Sequence, residues 1–209
     1  MRFLKLPTLN DLNENSIVFD LGGYKGTYTG LINNICKCKI FLFETWSDHY
    51  SHCVNRFKNN DNINCFNFGL GSNNEKISMF YDKDGTNAFK EKNLGVGAQH
   101  VSIINFKDFI ETQKIQFVDV MKINTEGGEF DLLEFLTHDY NKELISKIGI
   151  IQIQFHDFVP NAIERRDKII SKLRDTHVEN WNHNGELSIT ARGHKQPCWV
   201  WEEWRLKKS

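Results

Sequence analysis

An acid that closes an apolar run and is followed at once by glycines lets a chain bring its backbone against a ligand. Ile17-Val-Phe-Asp20-Leu-Gly22-Gly23-Tyr-Lys-Gly26 has this form. Glycines at 22, 23 and 26 admit a ligand that a β-carbon would hold off. The spacing departs from a dinucleotide turn, because Asp20 stands where G-x-G-x-x-G has its first glycine. A pyrophosphate there would meet a carboxylate, a costly like-charge pair in a partly dry site even at an effective dielectric of about 20. S-adenosylmethionine carries an ammonium and a sulfonium and no phosphate, so the acid favours it over a nicotinamide dinucleotide. A second carboxylate, Glu44, ends the apolar run Lys39-Ile-Phe-Leu-Phe and is placed to accept both hydroxyls of a ribose.

The elements that must position these groups are legible in outline. Residues 17–21 and 39–44 read as buried strands, with a helix over 27–36 between them. A helix over 48–58, with Ser47 or Asp48 as N-cap, leads to a third strand over 63–68, ended by Gly69-Leu-Gly71. This alternation predicts a parallel sheet with right-handed crossovers and a ligand site beyond the carboxyl ends of its strands. Asp20, Glu44, Asn67 and Gly69 then share one rim. Residues 75–82 read as an added strand, and the Gly- and Lys-rich stretch up to about residue 100 as a binding loop or lid. A short strand at 101–104, a helix at 106–112, strands at 117–124 and 148–155 and helices up to about 136 and over 161–174 follow. The aromatic C-terminus, Cys198-Trp-Val-Trp-Glu-Glu-Trp204, is strand-like.

With 209 residues, 40% hydrophobic and 25% charged, the chain is expected to form one soluble α/β domain. A formal charge of -1 gives no general attraction to nucleic acid or anionic lipid. No membrane insertion is expected, since Gln152 and Gln154 interrupt the longest apolar run. The start of the chain lacks the apolar core of a signal peptide, and the expected location is cytoplasmic. Five cysteines without a C-x-x-C pair are read as reduced. Cys36-Lys-Cys38 is weak as a metal site, and His49 and His52 read as solvated or capping residues.

Taken together the motifs resemble the FkbM family of S-adenosylmethionine-dependent O-methyltransferases, over roughly residues 16 to 157. Val18-Phe-Asp20-Leu-Gly22-Gly23-Tyr-Lys-Gly26 is similar to its donor-binding turn, and Glu44 to its ribose acid. Asp119-Val-Met-Lys122-Ile-Asn124-Thr-Glu126-Gly127-Gly128-Glu129 resembles its K-I-D-V-E-G-x-E signature, and Gln154-Phe-His156-Asp157 its E-x-H ending. Asn124 and Gln154 depart from that pattern, each removing a formal charge. The resemblance implies a class I methyltransferase fold, Rossmann-like, with a mostly parallel seven-stranded sheet flanked by helices and one antiparallel strand at its end. It also implies transfer to an oxygen, often a sugar hydroxyl, and a glycan as acceptor. The domain is either a whole protein or a module of a longer glycan-assembly protein.

Methyl transfer from a sulfonium is an in-line displacement, and a hydroxyl acceptor must lose its proton. A positioned base contributes about 10²–10⁴ in rate. His156 is the expected base, because an unperturbed imidazole titrates near about 6.5. Glu126 or Asp157 would orient or replace it, with Glu129 and Asn124 beside them; a purely structural, hydrogen-bonded His156 is the alternative. Asn124, Glu126, His156 and Asp157 also have the ligand types of a divalent metal ion, which would acidify neighbouring sugar hydroxyls. Trp181, Trp199, Trp201 and Trp204 offer faces for pyranose rings, although the alternation in Trp199-Val-Trp201 equally fits a strand with one buried face. The N-P-P-Y turn of amino-methyltransferases is absent. O-methylation of a small secondary metabolite and a non-catalytic donor-binding module are the competing readings.

Overall fold

β-Branched and aromatic runs bounded by glycine and asparagine become the strands, as their pleat-filling side chains favour. The computed structural model describes residues 6–8, 10–82, 85–87, 98–183 and 199–208. In chain order they form β1 (Ile17–Leu21), α1 (Thr27–Ile35), β2 (Lys39–Phe43), α2 (Ser47–Phe57), β3 (Ile63–Phe66) and β4 (Gly69–Gly71). Next come β5 (Glu75–Asp82), β6 (Gly85–Asn87), β7 (Ala98–Asn105), α3 (Phe106–Thr112), β8 (Val118–Ile123), α4 (Glu129–Leu136) and α5 (Lys142–Ile145). β9 (Ile148–His156), α6 (Ala162–Leu173), β10 (His177–His183) and β11 (Trp199–Leu206) complete the chain.

Seven strands form one sheet in the order β10-β11-β9-β8-β1-β2-β3. The pairs from β9 through β3 are parallel, whereas β11 runs antiparallel to both β9 and β10. The antiparallel strand therefore lies one place in from the edge rather than at the end. Register sets Asp20 of β1 opposite Lys122 of β8. On one face Phe19, Phe41, Phe43, Met121 and Ile151 pack under α3, α4 and α6. On the other, Val18, Ile40, Val120 and Ile150 pack against Tyr28 and Ile32 of α1. Phe109 inserts among Phe19, Phe41, Phe43 and Phe66 with ring centroids 5.1 to 6.0 Å apart, burying much of the apolar area that stabilises this end of the sheet.

Three further expectations change. Gly69-Leu-Gly71 does not end a strand but makes one: β4 joins a second sheet of order β4-β7-β5-β6, parallel to β7. The glycines permit this approach, since a β-carbon on Gly71 would lie 2.6 Å from Ile103 Cγ2 and one on Gly69 2.9 Å from its Cδ1. The N-cap of α2 is Trp46, one residue before the expected Ser47 or Asp48, and no side chain caps it. Trp201 and Trp204 are buried, Trp204 Nε1 donating to Glu202 Oε2 over 2.9 Å, so neither offers a face to a pyranose. Trp181 is half-buried. The side chain of Trp199 and most of the expected binding loop lie outside the described residues. No helix among the described residues is long and apolar enough to cross a membrane.

Candidate active site

Two turns meet at the carboxyl ends of the central strands. Gly22, at φ +76°, leaves β1 so close to β8 that a β-carbon there would sit 1.8 Å from the Asn124 carbonyl oxygen. Only glycine fits. Gly23 packs just as tightly on Leu42, where a β-carbon would come within 2.5 Å. Gly26, at φ +71°, starts α1 and leaves room for Phe57 rather than for a ligand.

Asp20 lies behind this turn, fully buried, and is not part of the cavity wall. Thr29 Oγ1 donates to its Oδ2 over 2.7 Å and Lys122 Nζ to its Oδ1 over 2.9 Å. The same ammonium donates to the carbonyls of Leu21 and Gly22, at 3.1 and 2.8 Å. All three of its protons are thereby used. A buried cation is tolerated because it is paired and fully hydrogen-bonded, and the pair fixes the backbone of the turn. Lys122 was the unassigned member of the sequence motif; a lysine inside the apolar run Val118–Ile123 is the signal that identifies it, since it must find a buried acid on a neighbouring strand.

Glu44 faces the cavity. Its Oε2 accepts from the Tyr24 N–H at 2.7 Å and its Oε1 from the Trp46 N–H at 2.8 Å. Each oxygen keeps acceptor capacity for a ligand hydroxyl. Burial raises its pKa above the usual carboxylate range, while these N–H groups and the Lys122 charge pull it down. Asn67 reaches no ligand space: its Nδ2 donates to the carbonyls of Glu44 and Thr45 and holds the loop after β2. From α2, the buried Cys53 Sγ donates to the Tyr24 carbonyl over 3.0 Å. Beneath the turn, Tyr28 Oη donates to Gln152 Oε1 at 3.0 Å, and Gln152 Nε2 to Glu203 Oε2 at 2.7 Å.

The cavity measures about 620 Å³, within the usual range for small-molecule sites. The Gly22–Tyr24 turn with Glu44 and the adjoining turn of Asn124, Thr125, Glu126 and Gly128 both line it. Phe43, Leu70, Met79 and Ile103 supply an apolar wall, to which the small sheet contributes. That wall was missed in the sequence, because β4 and β7 meet only through non-local pairing. Gly69 belongs to it.

At the β8 turn, Glu126 adopts φ +52° and Gly127 φ +107°. A left-handed glutamate costs on the order of 1 kcal/mol and persists only where its surroundings hold it. Glu129, the first residue of α4, is fully buried and does the holding. Its Oε2 accepts from Gly127 N at 2.9 Å and Thr125 Oγ1 at 3.1 Å, its Oε1 from His156 N at 3.0 Å. His156 Nδ1 lies 2.7 Å from the same Oε1, and its Nε2 3.6 Å from Glu126 Oε1. Burial acts to lower the imidazole pKa, but the charges of Glu129 and Glu126 outweigh it and raise it to about 9. Asp157 is exposed and stands outside the cavity wall. Asn124 Oδ1 is buried with no hydrogen-bond partner among the described residues. No three His, Cys, Asp or Glu among them are grouped to hold a metal ion.

The profile of the methyltransferase FkbM domain matches residues 20–179, which spans both turns and the whole cavity. The chain belongs to the FkbM methyltransferase family. It is 20% identical over 188 residues to the hexuronic acid methyltransferase AglP of Haloferax volcanii, covering 88% of this chain and 74% of that one. Among solved structures it is similar to methyltransferase FkbM from Methylobacillus flagellatus, with a TM-score of 0.55, 14% identity and 91% of this chain covered. This chain spans only 44% of that FkbM protein's length. An rRNA methylase from Streptococcus thermophilus has a TM-score of 0.56 at 12% identity, covering 95% and 91% of the two chains. A Streptococcus mutans chain solved in complex with SAH has a TM-score of 0.53 at 10% identity, over 93% and 91%. These likenesses establish the class I methyltransferase fold.

Proposed function

We propose that this FkbM domain transfers a methyl group from S-adenosylmethionine to a hydroxyl of a sugar. The carrying observation is the cavity that joins the Gly22–Gly23 turn and Glu44 to the Asn124–Glu126 turn. Its chemistry suits the donor: a carboxylate with acceptor capacity for ribose hydroxyls, glycine backbone at contact distance, and an apolar wall for a purine. S-adenosylmethionine supplies an electrophilic methyl carbon on a sulfonium. Asp20 contributes indirectly, by holding Lys122 and through it the turn. The likeness to a hexuronic acid methyltransferase supports a sugar acceptor.

In this reading Glu126, a carboxylate of the cavity wall, takes or positions the acceptor proton. His156, set between the two carboxylates, is a positioning residue that holds Glu126 and Glu129 at the turn. Isothermal calorimetry and product mass spectrometry test the two halves. Glu44→Ala, at a temperature where it is folded, should lose charge-assisted hydrogen bonds of about 1.5–3 kcal/mol, roughly ten- to hundredfold in donor affinity. Unchanged donor affinity, or a methyl group found only on nitrogen or on nucleic acid, would sink the proposal.

A further inference from the structure

We infer that the guanidinium of Arg165 and the carboxylate of Asp131 form a subsite in the cavity wall for two neighbouring hydroxyls of the acceptor, so that this chain selects a sugar with a vicinal diol on the ring it methylates. The inference rests on the sugar-methylation reading and names the feature of the sugar that the site recognises.

Both residues line the cavity. In the strand order β9-β8-β1-β2, the Gly22 turn and Glu44 follow β1 and β2, whereas α4 with Asp131 follows β8 and α6 with Arg165 follows β9. The pair therefore belongs to the side of the rim away from the donor carboxylate. Helix α4 holds the guanidinium in two ways. Phe130 lies against it, with Arg165 Cζ 5.0 Å from the ring centroid. Glu134, one turn further along α4, accepts from its Nε at 2.6 Å and its Nη2 at 2.7 Å. A guanidinium carries five N–H groups in one rigid plane, and Glu134 occupies the Nε–Nη2 edge. The Nη1–Nη2 edge, with three N–H groups, is left for a second pair of oxygens.

Asp131 supplies the complementary half. Its Oδ2 accepts from Ser72 N at 3.2 Å and from Ser72 Oγ at 2.7 Å, which fixes the carboxylate and leaves Oδ1 able to accept from a ligand. The two groups are electrostatic neighbours: Glu134 first, with the charges of Asp131 and Glu129 behind it, holds the Arg165 pKa above its ordinary value. Yet Arg165 pairs with Glu134 rather than with Asp131. A donor edge and an acceptor oxygen thus share one wall without neutralising each other. A hydroxyl is donor and acceptor at once. Two neighbouring hydroxyls can each accept an N–H from the Nη1–Nη2 edge while one of them donates to Asp131 Oδ1; a lone hydroxyl fills only part of this set. A site built on such bonds discriminates against an analogue lacking the hydroxyl, because its own polar group is then left unpaired.

The test uses the full chain, methyl-tritiated S-adenosylmethionine and a panel of disaccharides with neutral and uronic acid residues, the best acceptor being remade as its single deoxy analogues. With wild type, loss of either hydroxyl of the diol should raise KM at least about tenfold. Arg165→Gln should raise KM for the parent sugar by a similar factor, and the deoxy analogues should then lose little more, because their partner is already gone. Asp131→Asn should behave likewise toward the hydroxyl that donates to it. Arg165→Lys keeps the charge without the fork and should not restore KM. Donor affinity, read by calorimetry, should stay nearly unchanged in all three variants. Deoxy penalties that persist in full in the variants, or a lowered melting temperature with KM intact, would overturn the inference and leave the sugar-methylation proposal standing. So would a panel in which only uronic acids depend on Arg165 and no deoxy penalty is seen, the mark of a carboxylate on that edge. Methylation of no sugar at all would overturn both.

Discussion

His156 shows how strongly the neighbours of an imidazole bear on its titration. As an isolated imidazole it would titrate near 6.5 and accept a proton at working pH. Between Glu129 and Glu126 its pKa rises to about 9. The folded value exceeds the unfolded one, so its stabilising contribution is whole below about 6.5 and fades as pH climbs through about 9. An NMR titration of the His156 ring should therefore give a midpoint close to 9, and unfolding free energy should fall between pH 7 and 9.5 by more in wild type than in His156→Gln. A midpoint near 6.5 would return the imidazole to the role of base. The residues themselves were legible: Asp20, Glu44, Glu126 and His156 all lie near the central strand ends. What could not be read was direction, because Asp20 faces Lys122 rather than the cavity and Asn67 faces two carbonyls.

At the level of elements, the helix–strand alternation was legible wherever apolar periodicity was local, as in β1, α1, β2, β8 and β9. It failed at β4, where two glycines in three residues look like a turn and become a strand only because Ile103 needs the space they leave. The turn between β8 and α4 is the element that joins scaffold to chemistry. Four hydrogen bonds to Glu129 hold it, and Glu126 stands strained at its apex. Glu126→Gly relieves the strain but frees the unfolded chain, two effects of similar size. Its melting temperature should stay within a few degrees of wild type while turnover drops about a hundredfold or more. A variant that unfolds early, or one that keeps full activity, would show that the glutamate serves the fold instead.

For the molecule as a whole, the parallel pairing of five strands followed from the sequence, and the placement of β11 inside the sheet did not. That strand is added from the far end of the chain, so nothing local specifies its neighbours. Its burial is what turns Trp201 and Trp204 into core residues. One small contact made by α2 has a practical consequence. Cys53 is fully buried, its thiol pushed up to about 12 by burial and by nearby Cys65, Glu44 and Asp20, and its sulfur rests on the Tyr24 carbonyl. A thiol so protonated and shielded reacts with iodoacetamide only when the turn lifts away from α2. Alkylation at Cys53, followed by peptide mass spectrometry, should thus run as a clock on local opening, slowed severalfold or more by S-adenosylmethionine and unaffected by a sugar alone. Labelling that ignores the donor would mean that the turn and the ligand are not coupled.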